Sequence, residues 1–398
     1  MTNLIFDTNN ILYRALFIIG GFGKRSYTFD SQKEIDELMR KLSMDTAFLI
    51  RLINPSRVIF AVDGKSWRKD IFIEENEGYK GDRKKSKIIN WENIFKTLNE
   101  FTEIVQDNGM IVTKIDTAEA DDIVSMWVNE LLFNQKQHVI SVSGDEDIRQ
   151  LVKFNSYEQD KVVFSTVFNP FMQGKNASRK LYIPNNFKDW LEKEEEVDIW
   201  NMSGSLDVDK NDFRRIRDTD KVRVEKVDGN LIAMRKVFCG DDGDNIPAIY
   251  TWITKTENGE DKEVRITNSK FEKIYESIKH KFETEINHED LWTRRDQIFQ
   301  EIKKVTKTEP TFKIDKRLKR QLKLVVLDPK LFPETIIEDF NKIKEEEMNK
   351  PRPDVGNINM NNMLQGTRYV RASQGGTGNG TEASIFKEID KLSSKSLF

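Results

Sequence analysis

The sequence predicts an α/β fold with a mostly parallel central sheet flanked by helices, and three observations predict it. Short apolar runs rich in β-branched residues alternate with helical patterns through residues 1–170, the signature of strand–helix–strand units. The stretches between runs carry helical periodicity, as the right-handed crossovers of parallel strands require. Several runs also end on an acid: Asp7 closes NLIFD, Asp63 closes VIFAVD, and Asp145 and Asp147 follow HVISVSG.

LIF is the first expected strand. Glu34–Ile53 is helical, with apolar residues at Ile35, Leu38, Leu42, Phe48, Leu49 and Leu52. VIFAV is the second strand. Residues 64–88 then break the pattern, being too long and too charged for an ordinary connection, and loops beyond about 15 residues in a domain are usually functional. Trp91–Val105 is helical and MIVTKI is the third strand. Ala118–Leu132 is helical, with Asp116 or Thr117 as the expected cap and acids in its first turn facing the positive dipole end. HVISVS and KVVFSTV complete the strands. Phe168–Asp228 mixes acid and base with little periodicity and reads as an irregular elaboration. Asn268–Lys344 is helical again. From Pro351 the chain is poor in apolar residues and rich in Asn and Gly, a flexible linker by composition. The expected domains are 1–240, an α/β core with the charged stretch at about 64–90 and the elaboration at about 168–228; 241–345, helical; 346–383, linker; and 384–398, a C-terminal peptide.

One cysteine and three histidines leave no disulfide framework and no Cys/His zinc constellation. Oxygen-only ligation points to Mg²⁺, with Mn²⁺ able to substitute. The start, MTNLIFD, carries no basic leader before an apolar stretch, and no run approaches a membrane span. A cytoplasmic, membrane-free monomer is the expectation. The net charge of −3 conceals two basic stretches. YKGDRKKSK (79–87) has five basic residues against one acid, and KIDKRLKRQLK (313–323) six against one. A basic patch beside an acidic pocket suits a polyanion that is both held and cut.

The acids themselves are the strongest signal. Asp7, Asp63, Glu119, Asp121, Asp122, Asp145, Asp147, Asp241 and Asp244 fall in or beside the expected strand ends and turns, and strand ends of open α/β sheets converge on one crevice. Two carboxylates 4 Å apart repel by roughly 4 kcal/mol at an effective dielectric of 20. Divalent cations would remove that cost. In AEADD, Glu119 and Asp122 share a helix face while Asp121 points about 100° away from Asp122.

Taken in order, FDTNN, AVDGK, YKGDR, AEADD, SGDEDIRQL and GDDGDNIP resemble the flap endonuclease/5′-nuclease family over roughly residues 1–345, most of all the phage branch that includes the RNase H of the T-even phages. The resemblance implies a PIN/FEN-like nuclease core, a helical arch at about 64–90 and a helical DNA-binding domain. It implies Asp7, Asp63, Glu119 and Asp121 as ligands of a first metal, and Asp145, Asp147 and Asp244 on the side of a second. Asp122 and Asp241 match additional acids of the phage and bacterial branch. Lys80 and Arg83 are implied to face the scissile phosphate, and Tyr79 to offer a π face to an unpaired base. Arg68 and Lys69 could steer the 5′ strand or be an ordinary surface pair. The implied activity is metal-dependent hydrolysis of RNA primers and 5′ flaps during phage DNA replication.

After GDDGDNIP the chain departs from most of the family, running AIYTWITKTENGEDKEV with no Gly-x-Gly helix-hairpin-helix. Lys84, Lys85, Lys87, Lys316, Arg317, Lys319 and Arg320 are the candidates for contact with DNA or an RNA–DNA hybrid. LVVLDPKLFPETI (324–336) resembles the family segment that packs back on the body. In the C-terminal peptide, Ile385, Phe386, Ile389 and Leu392 share a helix face, and Leu397 and Phe398 end the chain. Such a tethered helix suits a groove on a sliding clamp or a single-strand-binding protein. Two rival readings stand beside this one: a PIN-type endoribonuclease, and a DNA-binding scaffold without catalysis.

Overall fold

The protein is described from a computed structural model covering residues 2–20, 27–53, 55–71, 78–81, 89–157, 161–170, 179–185, 222–282, 287–309 and 314–350. The elements in chain order begin with β1 (Thr2–Asp7), α1 (Thr8–Ile19), α2 (Gln32–Ile53), β2 (Arg57–Val62), α3 (Trp91–Asp107), β3 (Ile111–Lys114), α4 (Ala120–Asn129) and β4 (His138–Val142). There follow β5 (Lys153–Tyr157), β6 (Lys161–Asn169), β7 (Arg179–Pro184), β8 (Val222–Val227) and α5 (Gly229–Cys239). The last part comprises β9 (Thr251–Lys255), β10 (Asp261–Arg265), α6 (Asn268–Phe282), α7 (His288–Thr293), α8 (Arg295–Thr306), α9 (Ile314–Val325) and α10 (Glu334–Asn349).

The main sheet runs in the order β3-β2-β1-β4-β6-β7-β8, with β5 also paired to β6. β1 is parallel to β2 and β4, β2 to β3, β4 to β6, and β7 to β8, whereas β5 and β7 run antiparallel to β6. The chain moves outward from β1 through β2 to β3, then returns on the other side of β1 as β4. That reversal opens a crevice at the strand C-termini, where Asp7, Asp63 and the 143–147 turn emerge.

Both faces of the sheet are covered, so its inner strands are continuously apolar. Side chains alternate between the two sides. Leu4, Phe6, Val58 and Phe60 join the core under α1, α2 and α3, while Ile5, Ile59 and Ala61 join the one under α4 and α10. Phe6 and Phe60 stack with ring centres 4.9 Å apart, and Phe60 meets Phe101 of α3 edge-on at 5.8 Å. On the other side Trp127 of α4 is fully buried against Phe340 of α10 at 5.1 Å. The segment 324–336 thus packs back on the body, as its resemblance implied.

Two local expectations are corrected. Helix α4 is capped by Glu119 rather than Asp116 or Thr117: Glu119 and Asp122 form a reciprocal capping box, which satisfies two orphan N–H groups at once. Within Phe168–Asp228, β7 and β8 extend the sheet. Charged residues on these outer strands masked their alternation, and residues 186–221 lie outside the described part.

A third core joins α5, the β9–β10 hairpin and α6, α8 and α9 through Phe238, Tyr250, Phe271, Ile274, Tyr275, Ile298, Ile302 and Leu318. Helix α5, placed before the expected boundary at residue 240, packs with the helices after it. The AIYTWITKTENGEDKEV stretch forms the two-stranded hairpin. Of the expected arch, residues 72–77 and 82–88 lie outside the described part, as do the linker beyond Lys350 and the C-terminal peptide with Ile385, Phe386, Ile389, Leu392, Leu397 and Phe398.

Gly64 sets how closely the loop after β2 approaches the entrance to α4. Its N–H donates to the Ala118 carbonyl at 2.7 Å, and an added Cβ would lie 2.6 Å from the Asp116 carbonyl oxygen. Gly64→Ala therefore forces apart the two loops that bring Asp63 and Glu119 together. It should cost about 1–3 kcal/mol, the usual scale of overpacking, read as a lower urea midpoint with an unchanged slope. An unchanged midpoint contradicts the close approach.

Candidate active site

The first group of acids gathers where β1 and β2 end and α4 begins. Asp7 caps α1, accepting from the Asn10 N–H at 3.0 Å, and its other oxygen accepts from the Ser143 hydroxyl at 2.8 Å. Asp63 accepts from the Ala120 N–H at 2.6 Å and from the Asn9 side-chain amide. Burial raises the Asp7 carboxyl from the ordinary 3.8 to about 7, with repulsion from Asp63 and Asp145 adding to it. Burial also pushes Asp63 up, and Glu119 adds to the shift. Asp121 is driven well above the usual range by burial and by Asp7 and Asp145. Asp7 is thus repelled by Asp63 and Asp145, and Asp121 by Asp7 and Asp145.

The second group lies beyond β4 and after α5. Asp147, Asp241 and Asp244 present carboxylate oxygens that all lie within 4.8 Å of one another. Lys236, on α5, donates to Asp241 at 2.6 Å and also pairs with Asp147. Burial raises Asp147 to about 6 against the pull of Lys236. At Asp241 burial is outweighed by Lys236 and by nearby N–H donors, so its carboxyl is held below the usual range. Asp145 stands exposed at the mouth, accepting from the Asp147 N–H at 2.9 Å.

Lys80 joins the two groups. Its ammonium is 2.5 Å from Glu119 Oε1, and its N–H donates to the Asp244 carbonyl at 2.9 Å. Burial opposes its charge, but Glu119, Asp244 and Asp121 outweigh that and hold the ammonium protonated well past neutrality. Tyr79 lies beneath it, 6% exposed. The Tyr79 hydroxyl reaches Glu119 Oε2 at 3.1 Å and Asp244 Oδ2 at 3.4 Å, and the Lys80 ammonium sits 4.8 Å from its ring centre. At Glu119 burial works upward, yet Lys80 and Arg68 hold the carboxyl below its ordinary value.

Comparisons with known proteins bear on the fold. Residues 2–177 match the family described as the 5′-3′ exonuclease, N-terminal resolvase-like domain. That match covers the first part of the chain, where the first acid group lies. A bacteriophage T5 protein co-crystallised with metal ions is similar in fold, with a TM-score of 0.50 at 16% identity over 87% of this chain and 98% of that one. The T5 5′-exonuclease with zinc bound gives 0.49 at 16% identity over 87% and 98%. Human GEN1 in complex with Holliday junction DNA gives 0.38 at 12% identity over 95% and 75%. At such identity the likeness to the T5 protein with metal ions is one of fold. No curated protein sequence matches significantly.

The donor set fits hard divalent cations. Every candidate ligand is a carboxylate, and burial together with mutual repulsion raises Asp7, Asp121 and Asp147, a cost that bound cations relieve. Asp122 is different. It is 0% exposed; its Oδ2 accepts from Arg68, Trp67 and the Glu119 N–H, and its Oδ1 lies 2.7 Å from Arg68 Nη2 as an ion pair. It secures the start of α4, with its charge already paired by Arg68. Tyr79 is buried with one ring face under Lys80, so the expected open stacking face is not there.

The basic candidates separate in the same way. Arg83, Lys84, Lys85 and Lys87 lie outside the described residues, as does the side chain of Lys316. Arg317 is buried, Arg320 half-buried and Lys319 exposed. Arg68, treated as a surface residue from the sequence, is 1% exposed. Lys236 was missed altogether: it lies five residues before Asp241, a spacing with no local meaning until α5 ends in the Gly240 turn.

The raised carboxyls fix a pH signature for the protein. A group raised in the folded state stabilises below its unfolded value and loses that contribution as pH climbs through its folded value. In chelator, stability should therefore fall from about pH 4 to about pH 7, the window set by Asp7 and Asp147. Excess divalent cation should flatten the slope. Melting curves across this range, with chelator and with magnesium, check it, and parallel slopes in both would contradict it.

Proposed function

We propose that this protein is a 5′-nuclease, a magnesium-dependent phosphodiesterase that removes RNA primers and 5′ flaps during phage DNA replication, by 5′→3′ exonuclease, flap endonuclease and RNase H-type cleavage. The observation that carries the reading is the pair of acid groups joined through Lys80. Asp7, Asp63, Glu119 and Asp121 would hold one cation and Asp145, Asp147, Asp241 and Asp244 another. Such cations supply a hydroxide near neutral pH and relief of charge on the leaving oxygen. The similar T5 protein was crystallised with metal ions, which supports the metal dependence.

The chain's own residues have separate tasks. Lys80 stands over the cleft with a permanent positive charge, suited to a phosphoryl group whose negative charge grows in the transition state. Tyr79, hydrogen-bonded to both acid groups, holds Glu119 and Asp244 in register. Lys236 keeps Asp147 and Asp241 together. Duplex contact is assigned to the helical part, with Lys319 as its exposed base, and to the stretch 82–88. The C-terminal peptide is the candidate tether to a sliding clamp or single-strand-binding protein.

The decisive assay is cleavage of a 5′-labelled flap and of a primer–template hybrid, with and without magnesium. Both should be cut in magnesium and neither in chelator; cleavage of single-stranded RNA alone points to the PIN-type rival. Asp147→Asn should abolish cleavage while leaving DNA binding within a few-fold, because it removes a ligand charge without touching the basic surfaces. Near wild-type turnover in saturating magnesium rejects the second cation site.

Lys80→Ala should lower kcat on the order of 10²-fold, the scale for loss of one electrostatic donor, with a much smaller rise in KM. A change confined to KM makes Lys80 a docking residue.

A further inference from the structure

Arg68 has no part in the chemistry above, yet it is one of the largest fully buried side chains in the protein. It follows β2 in the short turn Trp67–Asp70, a few residues after Asp63. Its guanidinium is paired with Asp122: Nη1 donates to Oδ2 at 2.9 Å, and Nη2 lies 2.7 Å from Oδ1. Nη1 also reaches Glu119 Oε2 at 3.2 Å. The flat group is stacked as well, 4.8 Å from the Trp67 ring and 5.8 Å from Phe332, rings whose centres are 6.1 Å apart. Trp67 donates its indole N–H to the same Asp122 oxygen at 3.1 Å.

These contacts bear on one property of Glu119. The N-cap glutamate has rotatable bonds and two equivalent oxygens, so α4 alone does not decide which one faces the cleft. Arg68 and Tyr79 both hold Oε2, which leaves Oε1 toward Lys80. The same guanidinium locks Asp122, the other half of the capping box, so it fixes the helix start and the ligand together. A lysine can supply the charge but neither the two-pronged geometry nor the flat stacking face.

We infer that Arg68, packed against both Trp67 and Phe332, is a positioning residue that presents Glu119 Oε1 to the cation site, and that the segment before α10 takes part in this through Phe332. The inference rests on the functional reading above only in treating Glu119 as a cation ligand.

The test uses the full chain with Arg68→Lys and Phe332→Leu. Magnesium affinity is measured by calorimetry, the thermal midpoint in chelator, and kcat and KM on flap DNA. In Arg68→Lys, magnesium affinity should fall about tenfold, the lower end of the effect seen when a group that orients a ligand is lost. Activity per folded molecule should drop through kcat, with KM for DNA held within about twofold, and high magnesium should restore part of it. Phe332→Leu, which keeps the guanidinium but removes one stacking face, should fall between wild type and Arg68→Lys. Wild-type magnesium affinity in folded Arg68→Lys overturns the inference. If that variant does not fold, wild-type affinity in Phe332→Leu overturns it instead. Wild-type protein that leaves flaps uncut in magnesium removes the functional reading, and the magnesium affinities of the variants still decide the role of Arg68.

Discussion

Repulsion among buried carboxylates is the constraint around which this molecule is arranged. A parallel sheet whose strand order reverses between β1 and β4 delivers acids to one crevice, and backbone N–H donors offset only part of their charge. The protein answers with three cations, each from a different place in the chain. Lys80 comes from the base of the charged stretch after β2, Lys236 from α5, and Arg68 from the turn directly after the second strand. Each stands against carboxylates from another part of the chain. The helical layer is therefore not an appendage: it provides Lys236, Asp241 and Asp244, without which the second acid group does not exist.

The three cations are not equivalent. Lys80 is partly exposed and paired with Glu119, whereas Arg68 is sealed and acts only on neighbouring side chains. The acids divide likewise. Asp122 spends its oxygens on the helix start, while Asp7 and Asp121 keep carboxyls whose proton is hard to remove. An acid that the fold leaves strained is one that a cation rewards; an acid already satisfied is structural. The distinction follows from partners, and residue type says nothing of it.

How much could be read beforehand follows the same line. The strands LIF, VIFAV, MIVTKI, HVISVS and KVVFSTV were legible because a sheet covered on both faces must be apolar throughout, and the acids were legible because they close those runs. β7 and β8 were not, since they lie toward the sheet edge and carry Lys180, Arg223, Glu225 and Lys226. The cap of α4 was misplaced because Asp and Thr outrank Glu as caps in general, and only the reciprocal bond with Asp122 reverses the order. The fate of Arg68 was invisible: its partners Glu119, Asp122 and Phe332 lie far along the chain, and nothing in SWRKD distinguishes a buried guanidinium from a solvated one.

Helix α4 carries the acids on its first turn and its apolar stripe behind them, and that stripe is covered by α10, the last described element. Ser125 donates to the Leu327 carbonyl across 202 residues, and Trp127 waits for Phe340. Loop-closure entropy makes such distant contacts slow to form. In time order, then, the sheet and its acids can assemble while the outer side of α4 is still bare, and the final segment closes it. A nascent or truncated chain lacking α10 would carry an uncovered patch around Trp127 and Leu131, a surface prone to association with other chains. Helix α10 thus acts as the finishing step of the α/β core, sealing from behind the helix whose front holds the candidate site.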